Sequence, residues 1–237
     1  MICCSFVVAQ SSAPTPLNSI VDAMERARSR GRPQIAYEVV REYRLSAANK
    51  SGDSYVVAQV DVRSPSRKEY KIQKSSGSNR GQQVVRRILD HEVEVNSGSQ
   101  NAELALDRVN YDFSEMGEVV LDGQDCYLLG LHPKRKDKGL IVGQAWVEKT
   151  SFVVRQIEGY LAKTPSWWLK TVRVKLTFAD VQGTWLQTSM EAVADVRIAG
   201  PHTLTSRLLD FRHADVMASV ETQILLPDSN NGRPAAK

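Results

Sequence analysis

The sequence predicts an α+β protein that is mainly β, a large curved antiparallel sheet forming an incomplete β-barrel, covered by about three helices. Three observations carry this expectation. Runs of alternating apolar and polar residues recur from Tyr37 to Phe211, and period-two alternation marks strands with one buried and one wet face. Turn residues punctuate these runs in series, as successive hairpins require. A few stretches instead carry apolar residues at helical spacing, and each such stripe needs something to cover.

The first helix reads from Leu17, Ile20, Val21, Met24 and Ala27, with Asp22, Glu25, Arg26 and Arg28 opposite. Asn18 or Ser19 caps its start, and Gly31-Arg32-Pro33 stops it. Tyr37, Val39, Tyr43 and Leu45 then alternate with Glu38, Glu42, Arg44 and Ser46. After a turn at 49–53, Val56, Ala58, Val60 and Val62 form the next apolar parity. Pro65-Ser66 turns the chain into a third strand with Tyr70 and Ile72.

Ser75-Ser76-Gly77-Ser78 ends that strand series. Over 80–94, Val84, Val85, Ile88 and Leu89 follow a helical rhythm, and Ala102, Leu104, Ala105 and Leu106 predict a short further helix. Strands return at 110–113, 119–121, 126–132, 140–148 and 152–162. The clearest alternations come next: Val172, Val174, Leu176 and Phe178, then Leu186, Met190, Ala192, Ala194, Val196 and Ile198 on one parity. Gly200-Pro201 opens a last strand over 203–211. The total is about ten strands, several roughly twice the usual length. Long strands in such a sheet twist and curl.

A chain of 237 residues suits one domain, expected over 17–216. Residues 1–16 read as the remnant of a signal peptide and a disordered start, and 217–237 as a strand end and disordered tail. Val7-Val8-Ala9 has small or modest residues at the positions a signal peptidase reads, so cleavage is expected after Ala9 and the protein in the periplasm; the alternative is a frayed N-terminus on a cytoplasmic protein. Apolar content of 42% and charged content of 24% are ordinary for a globular protein. The net charge of +4 and pI near 9.0 permit attraction to anionic headgroups or nucleic acid without demanding either.

Chemistry is not signalled. Cys3, Cys4 and Cys126 make no C-x-x-C pair, no Cys/His group has zinc spacing, and neither metal nor cofactor is expected. His91, His132, His202 and His213 are scattered, and no nucleophile elbow, P-loop or H-E-x-x-H occurs. The expectation is a non-enzymatic protein. Nucleic acid fits poorly, because the apolar parity is aliphatic where single-strand binders interleave aromatics with basic groups.

That aliphatic parity suits acyl chains. The expected groove lining is Tyr43, Leu45, Val60, Ile72, Leu129, Val172, Val174, Leu176, Phe178, Met190, Ala192 and Ala194, with Val84 and Ile88 on a covering helix. The helices either leave this groove open or plug it. Trp167 and Trp168 read either as a lip touching lipid or cargo, or as an aromatic close to one end of the core. The basic loop 134–138 is either solvated or placed to meet headgroups at a membrane surface.

From Asn110 onward the chain resembles the LolA/LolB-like superfamily of periplasmic lipoprotein-sorting proteins. The resemblance lies in Asn110-Tyr111-Asp112-Phe113 and in Gly123 with Cys126-Tyr127-Leu128-Leu129. It continues through Gly143-Gln144-Ala145-Trp146-Val147-Glu148-Lys149 and Val154-Arg155-Gln156-Ile157-Glu158-Gly159. Phe178-Ala179-Asp180-Val181 and Trp185-Leu186-Gln187-Thr188 complete it. The resemblance implies an incomplete barrel with a helical lid that holds lipid or lipoprotein acyl chains. The alternative it implies is an envelope sensor or scaffold that binds a protein partner. For Arg41, on the apolar parity of the first strand, it implies a part like the buried arginine that latches the carrier's lid.

Overall fold

The computed structural model describes residues 15–30, 36–47, 53–64, 67–96 and 105–213. Helix α1 (Leu17–Arg30) precedes β1 (Tyr37–Ala47), β2 (Ser54–Ser64) and β3 (Arg67–Gly77). Helix α2 (Asn79–Asn96) then leads to β4 (Tyr111–Leu121), β5 (Gln124–Pro133), β6 (Ile141–Glu148) and β7 (Val154–Leu161). Three long strands follow: β8 (Leu169–Val181), β9 (Thr184–Val196) and β10 (Gly200–His213). The predicted leader, cleavage site and tail lie outside the described residues.

All ten strands join one antiparallel sheet in the order β3-β2-β1-β10-β9-β8-β7-β6-β5-β4. Its edges, β3 and β4, do not pair with each other, so the barrel is incomplete as expected. Apolar residues of alternate positions share the inner face of the sheet. Val39 and Tyr43 on β1 face inward beside Val60 and Val56 on β2. Register carries the inner face onward through Leu204↔Ala192, Ala192↔Val174, Leu176↔Ile157, Ile157↔Ala145 and Ala145↔Leu129. A slip of one residue at any of these pairings would expose a whole apolar row.

Gly143 and Gly159 face each other across β6 and β7. A Cβ on Gly143 would lie 2.1 Å from the Glu158 carbonyl oxygen, and one on Gly159 would lie 2.3 Å from that of Val142. The two backbones approach so closely that only hydrogen fits between them. Glycine at such a point lets the sheet bend sharply.

Three expectations need correction. Two helices, not three, occur among the described residues: Ala105–Asn110 forms bends and turns, and 101–104 lie outside the described set. Asn110 holds those turns, donating through Nδ2 to the Ala105 carbonyl and to Asp107 Oδ1, both at 2.9 Å. Secondly, the runs 110–113 and 119–121 are one strand, β4. A bulge between Glu115 and Gly117, with Gly117 at φ 125°, breaks the alternation without ending the pairing. Thirdly, β3 continues through Ser75 and Ser76 to Gly77, because those serines still pair with Val56 and Tyr55.

Among the described residues the core has three apolar clusters. The first lies under α2, whose Val85 and Leu89 meet Val39, Tyr43, Val56, Val60 and Phe211. The second gathers Leu131, Ile141, Ala145, Ile157, Val172 and Val174 on the inner face of β5 to β8. The third lies under α1, where Ile20, Val21 and Met24 cover Tyr127, Leu129 and Val147.

Candidate functional site

The two helices stand over opposite parts of the sheet, α1 above β5 and β6 and α2 above β1 to β3. Between them, on β8, β9 and β10, lies a strip of half-buried apolar side chains: Leu176, Met190, Ala192, Ala194 and Leu208. Ala192 packs against both the first and the second cluster, so the strip is the join between them. Its middle is built from small side chains, alanines on β9 and the buried Ser206 on β10. Small residues in a row, flanked by larger ones, shape a shallow trough.

The sheet also splits beside this strip. Pairing of β9 with β10 runs from Val196↔Gly200 to Ser189↔Arg207 and stops there. Beyond it β10 pairs with β1 as far as His213↔Tyr37, while β9 continues with β8 to Thr184↔Val181. Arg41 bridges the gap: its Nη2 donates to the Gln187 carbonyl on β9. His213 Nε2 approaches the Gln182 carbonyl at 3.4 Å across the same split. Leu186 and Val181 line the gap and pack toward Phe211 and Val39.

The expected lining residues fall into two groups. Tyr43, Val60 and Leu129 are sealed beneath the helices, and Val172 and Val174 are buried in the second cluster. Leu45, Ile72, Leu176, Phe178, Met190, Ala192 and Ala194 are half-buried on the same face. Of the covering helix, Ile88 packs against the first cluster, whereas Val84 points to solvent. Arg41 ties two strands together through its contact with Gln187.

Trp167 and Trp168 sit in the β7–β8 turn, 83% and 41% exposed, so neither closes the core. Ile198 leaves the parity of β9, because residues 197–199 turn the chain toward Gly200, whose φ is 75°; its side chain is 96% exposed. Sequence reasoning missed this exit, although the Gly200-Pro201 pair that forces the turn was its signal.

Elsewhere polar groups serve the frame. Asn110 is fully buried and accepts from Arg135 Nη1 at 2.6 Å, and the Ile141 amide donates to the Tyr111 hydroxyl at 3.0 Å. Arg108 clamps α1, donating to Asp22 at 2.5 Å and to the Asn18 carbonyl at 2.7 Å. On the outer face Glu42 accepts from Arg207 at 2.5 and 3.0 Å and from Arg44 at 3.3 Å. Burial pushes its carboxyl up, but these hydrogen bonds prevail and hold it below the usual value. Glu38 is shifted the other way, raised by burial and by Asp61 and Asp210 against the pull of Arg212. Burial also raises the Cys126 thiol, which makes it a packed sulfur with little thiolate. No group of three or more potential metal ligands gathers among the described residues.

No helix among the described residues is long and apolar enough to cross a membrane. No curated protein matches the sequence. A LolA superfamily protein from Nitrosomonas europaea is similar in structure, with a TM-score of 0.46 and 14% identity over 84% of this chain and 94% of that one. A DUF1329 family protein from Desulfovibrio piger is similar with a TM-score of 0.44 and 18% identity, again over 84% and 94%. The model of a family described as "Uncharacterized protein" matches residues 83–205, from α2 into β10 and just over half of the chain. The chain belongs to that family, and LolA superfamily proteins are among those it is similar to.

Proposed function

We propose that this protein binds an apolar ligand, a lipid or the acyl chains of a lipoprotein, along the trough between its two helices, and that it does so in the periplasm without catalysing a reaction. One observation carries the reading. The inner face is sealed under α1 and α2 but only half covered at Leu176, Met190, Ala192, Ala194 and Leu208. These are aliphatic and small, and ligand sites of this type are mostly apolar with few polar groups. The split between β9 and β10 supports the reading, because strands that have parted can open further without losing ladder bonds.

The test is native mass spectrometry of protein purified from the bacterial envelope, paired with displacement of an apolar fluorescent probe. A co-purifying lipid, or probe displaced by phospholipid or fatty acid, is the expected result. Absence of any lipid mass together with no probe uptake would sink the proposal.

The open sheet edge favours a second reading, a protein partner in the envelope. Met116 and Val120 are exposed on β4, which among the described residues has a strand on one side only. An extended segment of a partner can add to such an edge. Crosslinks from β4 to an envelope protein, with an empty trough, would favour this reading over the first.

A further inference from the structure

The two rims of the sheet differ. At one rim β5, β7 and β9 end, and the loops 134–140, 162–168 and 197–199 return the chain. These loops carry Lys134, Arg135, Lys136, Lys138, Lys163 and Arg197 against the single carboxylate Asp137. At the other rim, the described loops 122–123, 149–153 and 182–183 carry one cation, Lys149, and one carboxylate, Asp122. Lys134 and Arg135 also bond inward to the Arg108 carbonyl and to Asn110. Lys136, Lys138 and Lys163 are exposed and have no ion pair among the described residues.

Trp167, Trp168 and Ile198 protrude from this same basic rim. Trp167 and Ile198 stand on neighbouring loops, and those loops are tied together. The Arg197 amide donates to the Trp168 carbonyl at 3.0 Å, and Arg197 Nε donates to the Trp167 carbonyl at 2.9 Å. The tie makes Trp167, Trp168, Ile198 and Arg197 one platform with a cation at its base. Exposed tryptophan beside lysine and arginine is the composition that settles at a bilayer interface: the indole takes the headgroup level while the cations meet anionic headgroups.

We propose that this rim docks the protein on a membrane surface bearing anionic phospholipid, with Trp167, Trp168 and Ile198 entering the interface and the surrounding cations supplying electrostatic attraction. This goes beyond the ligand reading and stands apart from it, since the rim residues are not those of the trough. Attachment of this kind is reversible and weakens with salt.

The experiment is co-sedimentation of the full chain with vesicles of phosphatidylcholine alone and of equimolar phosphatidylcholine and phosphatidylglycerol, with brominated lipid to quench tryptophan at the interface. Binding to the mixed vesicles, lost at high salt and weakened about tenfold by the paired change Trp167→Ser and Trp168→Ser, is expected. Ile198→Ser should weaken it less, and Lys136→Ser with Lys138→Ser and Lys163→Ser should abolish the preference for the anionic lipid. All these positions are exposed, so unchanged thermal melts verify that the variants fold. Equal binding to both vesicle types, binding to neither, or variants that sediment like the parent would overturn the proposal. So would capture by an envelope protein with no vesicle binding. Uptake of an apolar probe without vesicles should be the same in parent and rim variants; a chain that binds vesicles but takes up no probe defeats only the ligand reading.

Discussion

Arg41 on β1 and Gln187 on β9 are hydrogen-bonded across the intervening position of β10, at the point where β9 and β10 have parted. The guanidinium thus replaces ladder bonds that the two strands no longer make. Charged hydrogen bonds of this kind contribute up to about 3 kcal/mol, and less where water has access. Arg41→Met is expected to lower stability by about 1–2 kcal/mol. Arg41→Lys should recover little of it, because an ammonium lacks the planar reach. Chemical denaturation measures both. A melt unchanged in Arg41→Met would show that the bridge is incidental.

The glycine pair between β6 and β7 admits no side chain. Gly143→Ala places a methyl against the Glu158 carbonyl, which is backbone and has no rotamer to escape into. A cost of about 1–3 kcal/mol is expected. Gly123→Ala meets no neighbouring atom within 4 Å, so its only cost is that of φ 77° in the turn, and it serves as the control. Equal melts for these two variants would contradict the close approach of β6 and β7.

Glu42 and Glu38, both on the outer face of β1, should respond oppositely to charge removal. The folded-state value of Glu42 is lowered, so its contribution is present above the unfolded carboxylate value and is lost as pH falls through the folded one. Glu42→Gln should therefore destabilise at neutral pH, with the deficit shrinking as the pH is lowered. Glu38 is raised, so its ionised form opposes folding above that value and the penalty fades in acid. Glu38→Gln should be neutral or stabilising at neutral pH. Urea denaturation over a pH series reads both signs, and parallel curves would refute the assignment.

The trough can be tested without disturbing the sealed core. Met190→Gln and Leu176→Gln change paired, half-buried residues on β9 and β8. Each should leave the fold intact and weaken uptake of an apolar probe about tenfold, equivalent to about 1.4 kcal/mol. Titrating the probe against each variant gives the ratio, and undiminished uptake in both would move the ligand site elsewhere.

Much of this was legible because alternation is a local signal. Val172, Val174 and Leu176 declare a buried parity within a few residues, and Ile20, Val21 and Met24 declare a helical stripe equally locally. Period two reveals which face a residue takes, but not which strand lies beside it. Nothing near Tyr43 indicates that Ser206 is its partner. Gly117 hid the unity of β4, since a bulge looks like a break when only parity is read. The split between β9 and β10 was invisible for the same reason: both strands keep their apolar rows after they part. Ile198 continued the parity of its strand and was misplaced by it, whereas Gly200-Pro201 marked the true end. Of the trough, the apolar face was readable and the extent of its cover was not, because cover depends on where two distant helices come to rest.

The strand order has a temporal side. Strands β4 to β9 each lie next to a strand just made or about to be made, so that meander can assemble as the chain lengthens. Strands β1 to β3 form an earlier meander, and it is joined to the rest of the sheet through β10, the last strand among the described residues. During synthesis the first three strands must therefore wait, with one side of β1 unpaired, until residues 200–213 arrive. A chain ending at residue 199 should yield to limited proteolysis over 37–77 while 111–196 stays protected. The amino-terminal strands would in that interval be the part of the protein most in need of a chaperone.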